Sequence, residues 1–417
     1  MKIELSLNNL GSARYLNRQI QKGIEQGKCI FEILPKESTT YSNICAPVAG
    51  VIDFYRNKGY SISFNDMDCN YVKHLQIGNP FIVKEASEWE LRNPLDKVWT
   101  LTEESEVWKI VDYLLLATRE NTELEDGVAQ ALNWCMSESV DNVLQHSKAG
   151  KCFIMAQIHQ SNQRFNFCVF DSGIGIYNSF KGTDYETSSR TQALKYAMSE
   201  SVTSNKQIGQ GNGLWGLSQI IKETNGIITL CSSGAQYGFF EGQEQWIPRG
   251  CLDLGPENGT TMVDFQLDYG QPIDILNALN GYEPYDKWAE DHENDLGQFS
   301  IKIAKESNGT GTRKSAEKVR NIIVGAQNAH YSKILIDFSD VKMISSSFAD
   351  ELIGKLIAKY GFSAFMQHIV ILNTNKFIDA IINRSVGQRM AQIFMDYEID
   401  ETDSPQEKFE TIVEEKD

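Results

Sequence analysis

The chain has 417 residues, which at about 150 residues per domain is room for two to four domains. Hydrophobic residues make up 41% and charged residues 23%, an ordinary globular balance that excludes wholesale disorder. The formal net charge of −17 argues against a general binder of nucleic acid or anionic membrane, because no excess of cations is present to neutralise phosphates. Part of that charge sits in residues 398–417, an acidic tail with nine acids and two bases.

The opening MKIELSLNNL lacks the basic start and apolar run of a secretory signal. No apolar stretch approaches the roughly 18 residues needed to span a bilayer; the longest, such as Val111–Thr118, suit buried helices. Eight cysteines at 29, 45, 69, 135, 152, 168, 231 and 251 form no CxxC pair, and several lie in apolar runs. The expectation is reduced core thiols in a cytoplasmic protein. The six histidines are scattered and suggest no metal cluster.

In chain order, residues 1–100 read as a small α/β domain. ILPKE is a short strand, and a helix follows with Pro47 in its first turn, where the missing N–H costs nothing. Gly59 is placed to cap that helix, and YSISF alternates as a strand. Residues 105–268 form a second block. Val107–Thr118 is helical, and Leu124–Ser147 carries Val128, Leu132, Cys135, Met136, Val140, Val143 and Leu144 at steps of three and four, one helical face. Strands KCFIMAQIHQ and RFNFCVFDSG follow, then a polar stretch from Tyr177 to Ile208 with one helical patch at Thr191–Met198. A glycine cluster, a helix over Leu214–Thr224 and strands ending in TTMVDFQL complete the block. Residues 271–297, with Pro272, Pro284 and many acids, read as a linker. In residues 298–395, KILIDFS and HIVILN are strand patterns, and Ser347–Tyr360 and Thr374–Ile393 are helical, giving another small α/β unit. The first and third blocks share an order of strand, loop, small-residue cluster, helix, glycine and strand (ICAPVAGVIDFYRNKGYSISF against ISSSFADELIGKLIAKYGFSAF).

Four short patterns carry chemistry. Glu138 and Asn142 lie one turn apart on the long helix. An Asn amide oxygen suits Mg²⁺, and a carboxylate beside it can orient or deprotonate a water or hydroxyl; a solvated helix face is the bland alternative. Asp171-Ser-Gly173-Ile-Gly175 follows a strand, where a carboxylate can accept from an exocyclic amine and glycines let backbone approach a flat base; a tight turn is the alternative. Gly209-Gln-Gly211-Asn-Gly213 opens a helix, exposing N–H groups to phosphate. It is neither a P-loop nor a Rossmann turn, having no GK[ST] and no preceding strand. The polar stretch before it suits a lid, and Lys206 within it could reach a phosphate. Gly259-Thr260-Thr261 leads into a strand, and a Thr hydroxyl there could bind phosphate or an adenine-bound water.

The order of these pieces, from Glu138 to Thr260, resembles the ATP-binding domain of the GHKL superfamily, which includes type II topoisomerase ATPases, heat-shock chaperones, MutL and histidine kinases. The resemblance covers the N-box Glu138-Ser-Val-Asp-Asn142-Val-Leu-Gln-His146, the DSGIG and GQGNG boxes and Gly259-Thr260. It implies a central Bergerat-type α/β sandwich within a multidomain α+β and α/β chain, with ATP and Mg²⁺ as ligands. It further implies that Asn142 holds Mg²⁺, Asp171 reads adenine, Gly173, Gly175, Gly209, Gly211 and Gly213 shape the site, and Glu138 is the catalytic acid-base group. The helix wording is similar to the anti-sigma-factor serine kinase branch, and Asp141 before Asn142 is shared with MutL-like proteins.

The stretch Asp337-Phe-Ser-Asp-Val-Lys-Met-Ile-Ser-Ser-Ser347 resembles the strand–loop–helix of STAS-like domains, closest to the one of unknown function sometimes fused to GHKL ATPases. In anti-sigma-factor antagonists a Ser at this helix start is phosphorylated, and Ser346 aligns best; a helix N-cap is the competing reading of Ser345–Ser347. Residues 1–100, sharing the element order of the third block, are a candidate second STAS-like domain. Three functions follow as expectations. One is a slow ATPase acting as a conformational switch, through STAS-like domains that meet each other, a second copy or a protein partner. The second is a serine kinase acting on a STAS-like substrate, and the third a non-catalytic ATP-sensing scaffold.

Overall fold

The computed structural model describes residues 1–36, 39–66, 70–202, 213–282, 284 and 286–401, without the side chains at 393, 394 and 396–401. It is a mixed α/β protein with three sheets and two compact units, residues 1–119 with 124–286, and 120–123 with residues from 287 onward.

The first unit opens with a three-stranded parallel sheet in the order β1 (Lys2–Leu5), β2 (Ile30–Pro35), β3 (Ser61–Phe64), connected through helices Ser12–Glu25 and Ser42–Asn57. Gly59 takes φ +88, and Tyr60 N–H closes on Tyr55 O, so the second helix ends on glycine as its sequence indicates. That helix begins at Ser42, which puts Pro47 inside it rather than in its first turn.

An eight-stranded sheet follows. Its strands are β4 (Phe81–Ile82), β5 (Trp99–Leu101), β6 (Cys152–His159), β7 (Arg164–Asp171), β8 (Ile227–Ser232), β9 (Ala235–Phe240), β10 (Gln243–Ile247) and β11 (Thr261–Asp268). The spatial order is β10-β9-β8-β11-β7-β6-β5-β4, antiparallel except between β4 and β5. Alternation along β7 divides its side chains between two cores. Phe165, Phe167 and Val169 join the core under helices Val128–His146 and Gly213–Glu223. Cys168 and Phe170 join Phe153 and Met155 of β6 against helix Ser42–Asn57. Gly50 makes that second contact possible, since a Cβ there would stand 2.2 Å from the Phe170 ring.

Three expectations are corrected here. The break near residue 100 falls inside the central sheet, because β4 and β5 hydrogen-bond into it and the core beside helix Ser42–Asn57 runs continuously from the first sheet to Phe170. Residues 271–282 are not a linker: Ile273, Ile275, Ala278 and Leu279 are buried in the first unit's core, and Pro272 and the acids around them mask that apolar spacing. Cys231 and Cys251 are joined in a disulfide, so these two are not reduced thiols, while Cys45, Cys135, Cys152 and Cys168 are free and buried.

The second unit carries a parallel sheet in the order β12 (Phe299–Lys302), β13 (Ile334–Asp337), β14 (Ile369–Leu372). Its sequential parallel topology repeats that of the first sheet, as the shared element order suggests. The likeness does not run residue by residue. The segment aligned with Ser61–Phe64 is a helix, Phe362–His368, and β14 comes after it. The helical stretch from Ser346 to Tyr360 contains a π-helical turn at Asp350–Gly354. No helix among the described residues is long and apolar enough to cross a membrane.

Replacing a helical glycine by alanine ordinarily stabilises by about 0.5–1 kcal/mol. At Gly50 the opposite sign is expected, a loss of about 1–3 kcal/mol from overpacking against Phe170. Urea unfolding of Gly50→Ala checks this; a midpoint at or above that of the unsubstituted protein would mean the helix does not lie on Phe170.

Candidate functional site

The long helix Val128–His146 buries Val128, Ala131, Leu132, Cys135, Met136, Val140 and Val143 against the sheet. Its next stripe around the cylinder is Trp134, Glu138, Asp141, Asn142 and Gln145, again at steps of three and four. That stripe lines a cavity of about 640 Å³ in the first unit, a volume typical of small-molecule sites.

The sheet supplies the cavity floor. Asp171 continues the alternation of Phe167 and Val169 and so points to the same side as they do. Thr261 on β11 is its direct partner in the β-ladder, and both line the cavity. The Asp171 carboxyl is fully buried. Its Oδ1 accepts from the Gly173 N–H at 2.7 Å, while Oδ2 has no hydrogen-bond partner among the described residues. Burial pushes this carboxyl up to about 7, and the Gly173 N–H and the nearby Thr261 hydroxyl hold it down in part. The Thr261 hydroxyl makes no hydrogen bond to Oδ2 and lies 3.3 Å from Ser232 Oγ.

The glycines of the DSGIG turn serve backbone against backbone. A Cβ on Gly173 would stand 2.1 Å from the Ser147 carbonyl at the end of the long helix, and one on Gly175, at φ +74, 2.9 Å from Gly259. The Ile174 N–H donates to that same Ser147 carbonyl at 2.8 Å. The turn after β7, the end of the helix and the Gly259 turn are thereby locked together.

Glu138 and Asn142 face the start of helix Gly213–Glu223. A Cβ on Gly213 would lie 2.3 Å from Glu138 Oε2 and 2.9 Å from Asn142 Nδ2. The Asn142 amide N–H donates to the Glu138 carbonyl at 2.6 Å, which leaves its amide oxygen as the acceptor of the side chain. Burial, reinforced by the charge of Asp141, lifts Glu138 to about 7, and burial with the charge of Glu104 lifts Asp141 to about 6. Glu200 adds another carboxylate to the lining. A polyanion entering beside these acids requires a cation with it, and the Asn142 amide oxygen is a hard donor suited to Mg²⁺.

Of the residues singled out from the sequence, Glu138, Asn142, Asp171, Gly175 and Gly213 line one cavity, with Gly173 directly behind it. Thr260 does not join them. Its Oγ1 donates to the Leu252 carbonyl at 3.0 Å, and Thr261 takes the cavity position instead. The alternation of TTMVDFQL against β7 carries that information, since Thr261 shares a face with Val263 and Phe265. Lys206, Gly209 and Gly211 lie outside the described residues, as does most of the acidic tail. The expected lid is packed as far as Val202, with helix Arg190–Ala197 and a small core of Phe180, Ala193 and Ala197. Trp134, Leu279, Asn280 and Tyr282 also line the cavity and were not anticipated. Ser346 belongs to the second unit, where it is exposed at a helix start, and Ser345 is the N-cap, its Oγ accepting from the Phe348 N–H at 3.0 Å.

Residues 315–379 match the family model of a STAS-like domain of unknown function (DUF4325). The match runs through helix Arg313–Asn328, β13, the Ser345–Tyr360 region, β14 and the start of helix Lys376–Glu401. It bears out the STAS-like reading for this part of the chain. No curated protein matches the chain in sequence.

A raised carboxyl pKa means that the folded state holds its proton to higher pH than the unfolded chain. The Asp171 contribution to stability is therefore most favourable below the unfolded value near 4 and falls as pH rises to about 7. In thermal unfolding without ligand, the stability of the unsubstituted protein relative to Asp171→Asn should decline between pH 5 and pH 7.5 and then level off. A difference independent of pH would show that Asp171 titrates normally.

Proposed function

We propose that the first unit binds Mg-ATP as a GHKL-type nucleotide site with a Bergerat-like arrangement, and that the chain is a slow ATPase working as a switch. The observation that carries this reading is the buried, half-satisfied Asp171 carboxylate on the floor of a cavity whose wall is Glu138 and Asn142. A buried carboxylate oxygen without a donor is costly, and an exocyclic amine such as that of adenine supplies the missing one. The order of motifs along the chain supports the same reading, independently of the cavity.

In this mechanism Asp171 Oδ2 accepts from the base amine. The Asn142 amide oxygen would hold Mg²⁺, which would supply the positive charge that phosphates need among these acids. Glu138 orients the attacking water and takes its proton as the terminal P–O bond breaks, giving ADP and phosphate. A base with a pKa of about 7 suits that work near neutral pH. The STAS-like part supplies the surface for a protein partner or a second copy.

A second reading, a protein serine kinase, is favoured by one observation: Ser346 is exposed at the start of a helix, while the neighbouring Ser345 already satisfies the cap. The same Glu138 would then deprotonate a serine hydroxyl.

Isothermal titration should show ATP binding weakened at least about tenfold in Asn142→Ala and in Asp171→Asn, a loss expected when a metal ligand or a charged hydrogen bond is removed. Unchanged affinity in both would remove the assignment. Incubation with labelled ATP then separates the chemistries. Free phosphate released by the unsubstituted protein and lost in Glu138→Ala marks the ATPase. Label held on protein and absent in Ser346→Ala marks the kinase. Binding with neither product leaves an ATP-sensing scaffold.

A further inference from the structure

The segment from Ile273 to Tyr282 leaves the last strand of the central sheet and is fastened at each step. The Ile273 N–H donates to the Asp126 carbonyl at 2.8 Å. The Ile273 carbonyl sits so close to Gly127, which has φ +73, that a Cβ there would be 2.1 Å away. Only glycine fits at that point, immediately before the long site helix. A one-turn helix, Ile275–Ala278, is capped by Asp274, whose carboxylate accepts from the Asn277 N–H at 3.0 Å. Asn280 and Gly281 then turn with φ 52 and 89, and the Gly281 N–H closes on the Leu276 carbonyl at 2.7 Å. Asn tolerates the left-handed region better than most residues, and Gly adopts it freely.

This turn brings Leu279, Asn280 and Tyr282 into the cavity wall. Leu279 lies over Gly216 of helix Gly213–Glu223, where a Cβ would stand 3.0 Å from Leu279 and 3.1 Å from the Trp134 indole nitrogen. Tyr282 packs on Trp134 with ring centroids 4.9 Å apart. The Asn280 amide N–H donates to Glu200 at 3.3 Å.

The position along the site helix gives the segment its meaning. The DSGIG turn is locked to Ser147, at the far end of the helix. Trp134 lies one turn before Glu138 and two before Asn142, about 12 Å along the axis from Asn142 at 1.5 Å per residue. A ligand whose base is read by Asp171 and whose phosphates are held at Asn142 therefore runs towards Glu138, with the Trp134–Tyr282 pair beyond it. Glu138 and Glu200 repel a phosphate there. Tyr282 and Asn280 are the uncharged polar residues on the same wall, and of the two Asn280 amide protons one is on Glu200 and the other remains to donate.

We infer that Leu279–Tyr282 is the wall of the site at its terminal-phosphate end, with Tyr282 and Asn280 touching that phosphate and setting the preference for a nucleoside triphosphate over a diphosphate. This rests on the ATP reading above. Trp134 is a positioning residue, holding the Tyr282 ring.

The test is isothermal titration of the full chain, in Mg²⁺, with ATP and with ADP. Asn280→Ala and Tyr282→Phe should each weaken ATP by about tenfold, the loss expected of a hydrogen bond to a charged group, and leave ADP within about twofold. Tyr282→Phe keeps the ring on Trp134, so a loss confined to ATP cannot be a folding defect. Equal weakening of both nucleotides, or weakening of neither, would overturn the assignment of this wall. Asp171→Asn separates the two levels of argument, because it should weaken ATP and ADP together. If it weakens neither, or if the unsubstituted protein binds neither nucleotide, the ATP reading fails and the wall assignment falls with it.

Discussion

The two-residue period along β7 is the constraint on which the first unit depends. Phe165, Phe167 and Val169 face one core and Cys168 and Phe170 the other, so the middle of the sheet is covered on both sides. A strand apolar on both faces must find two partners, and the chain provides helix Ser42–Asn57 for one face and the Val128–His146 and Gly213–Glu223 pair for the other. Asp171 is the next step in the same alternation. It inherits a buried position on the helix-pair side and meets no complete set of donors there. The packing that stabilises the sheet and the half-satisfied buried carboxylate on the cavity floor thus arise from one register.

The pattern of apolar steps along Leu124–Ser147 makes the site helix and its cavity stripe readable in advance, since Glu138 and Asn142 fall off the apolar face by simple spacing. The DSGIG and Gly259 turns are readable too, although the reason for their glycines is not. The sequence suggests that Gly173 and Gly175 admit a flat base, whereas both lie against neighbouring backbone, Ser147 behind Gly173 and Gly259 behind Gly175. That contact joins residues far apart in sequence, and no local pattern announces it. Thr260 and Thr261 could have been told apart by carrying strand alternation back from Val263 and Phe265. Ile273–Tyr282 was hidden by Pro272 and nearby acids, which suggest a loop, while its apolar residues are too few to form a period. Tertiary burial decides its fate.

In the second unit the β13 and β14 patterns and the serine-rich helix start are legible because short apolar runs bounded by Asp337 and Asn373 leave little alternative. The π-helical turn at Asp350–Gly354 is not. It is accompanied by ion pairs that only the folded unit assembles. Glu351 is buried and paired with Arg320 and Lys355, while Asp350 takes a two-pronged contact from Arg389 at 2.7 and 2.9 Å. Buried acids of this kind are tolerable because each has its cation. Glu138 and Asp171 in the cavity of the first unit have no ion-pair partner among the described residues, and burial shifts their carboxyl groups upward.

The Cys231–Cys251 bond bears on the same site through a different quantity, the freedom of the unfolded chain. It closes a loop of 20 residues that contains the β9–β10 hairpin and ends just before the Gly259–Thr260 turn. Closing a loop of that length removes roughly 3 kcal/mol of chain entropy from the denatured ensemble in the simplest treatment. With the thiols reduced, the hairpin keeps its ladders to β8 and within itself, the Gly250 and Cys251 N–H bonds to the Gly234 carbonyl, and the Thr260 hydroxyl on Leu252. The stability of the unit that carries the turn locked against Gly175 then depends in part on the oxidation state of two side chains outside the cavity lining.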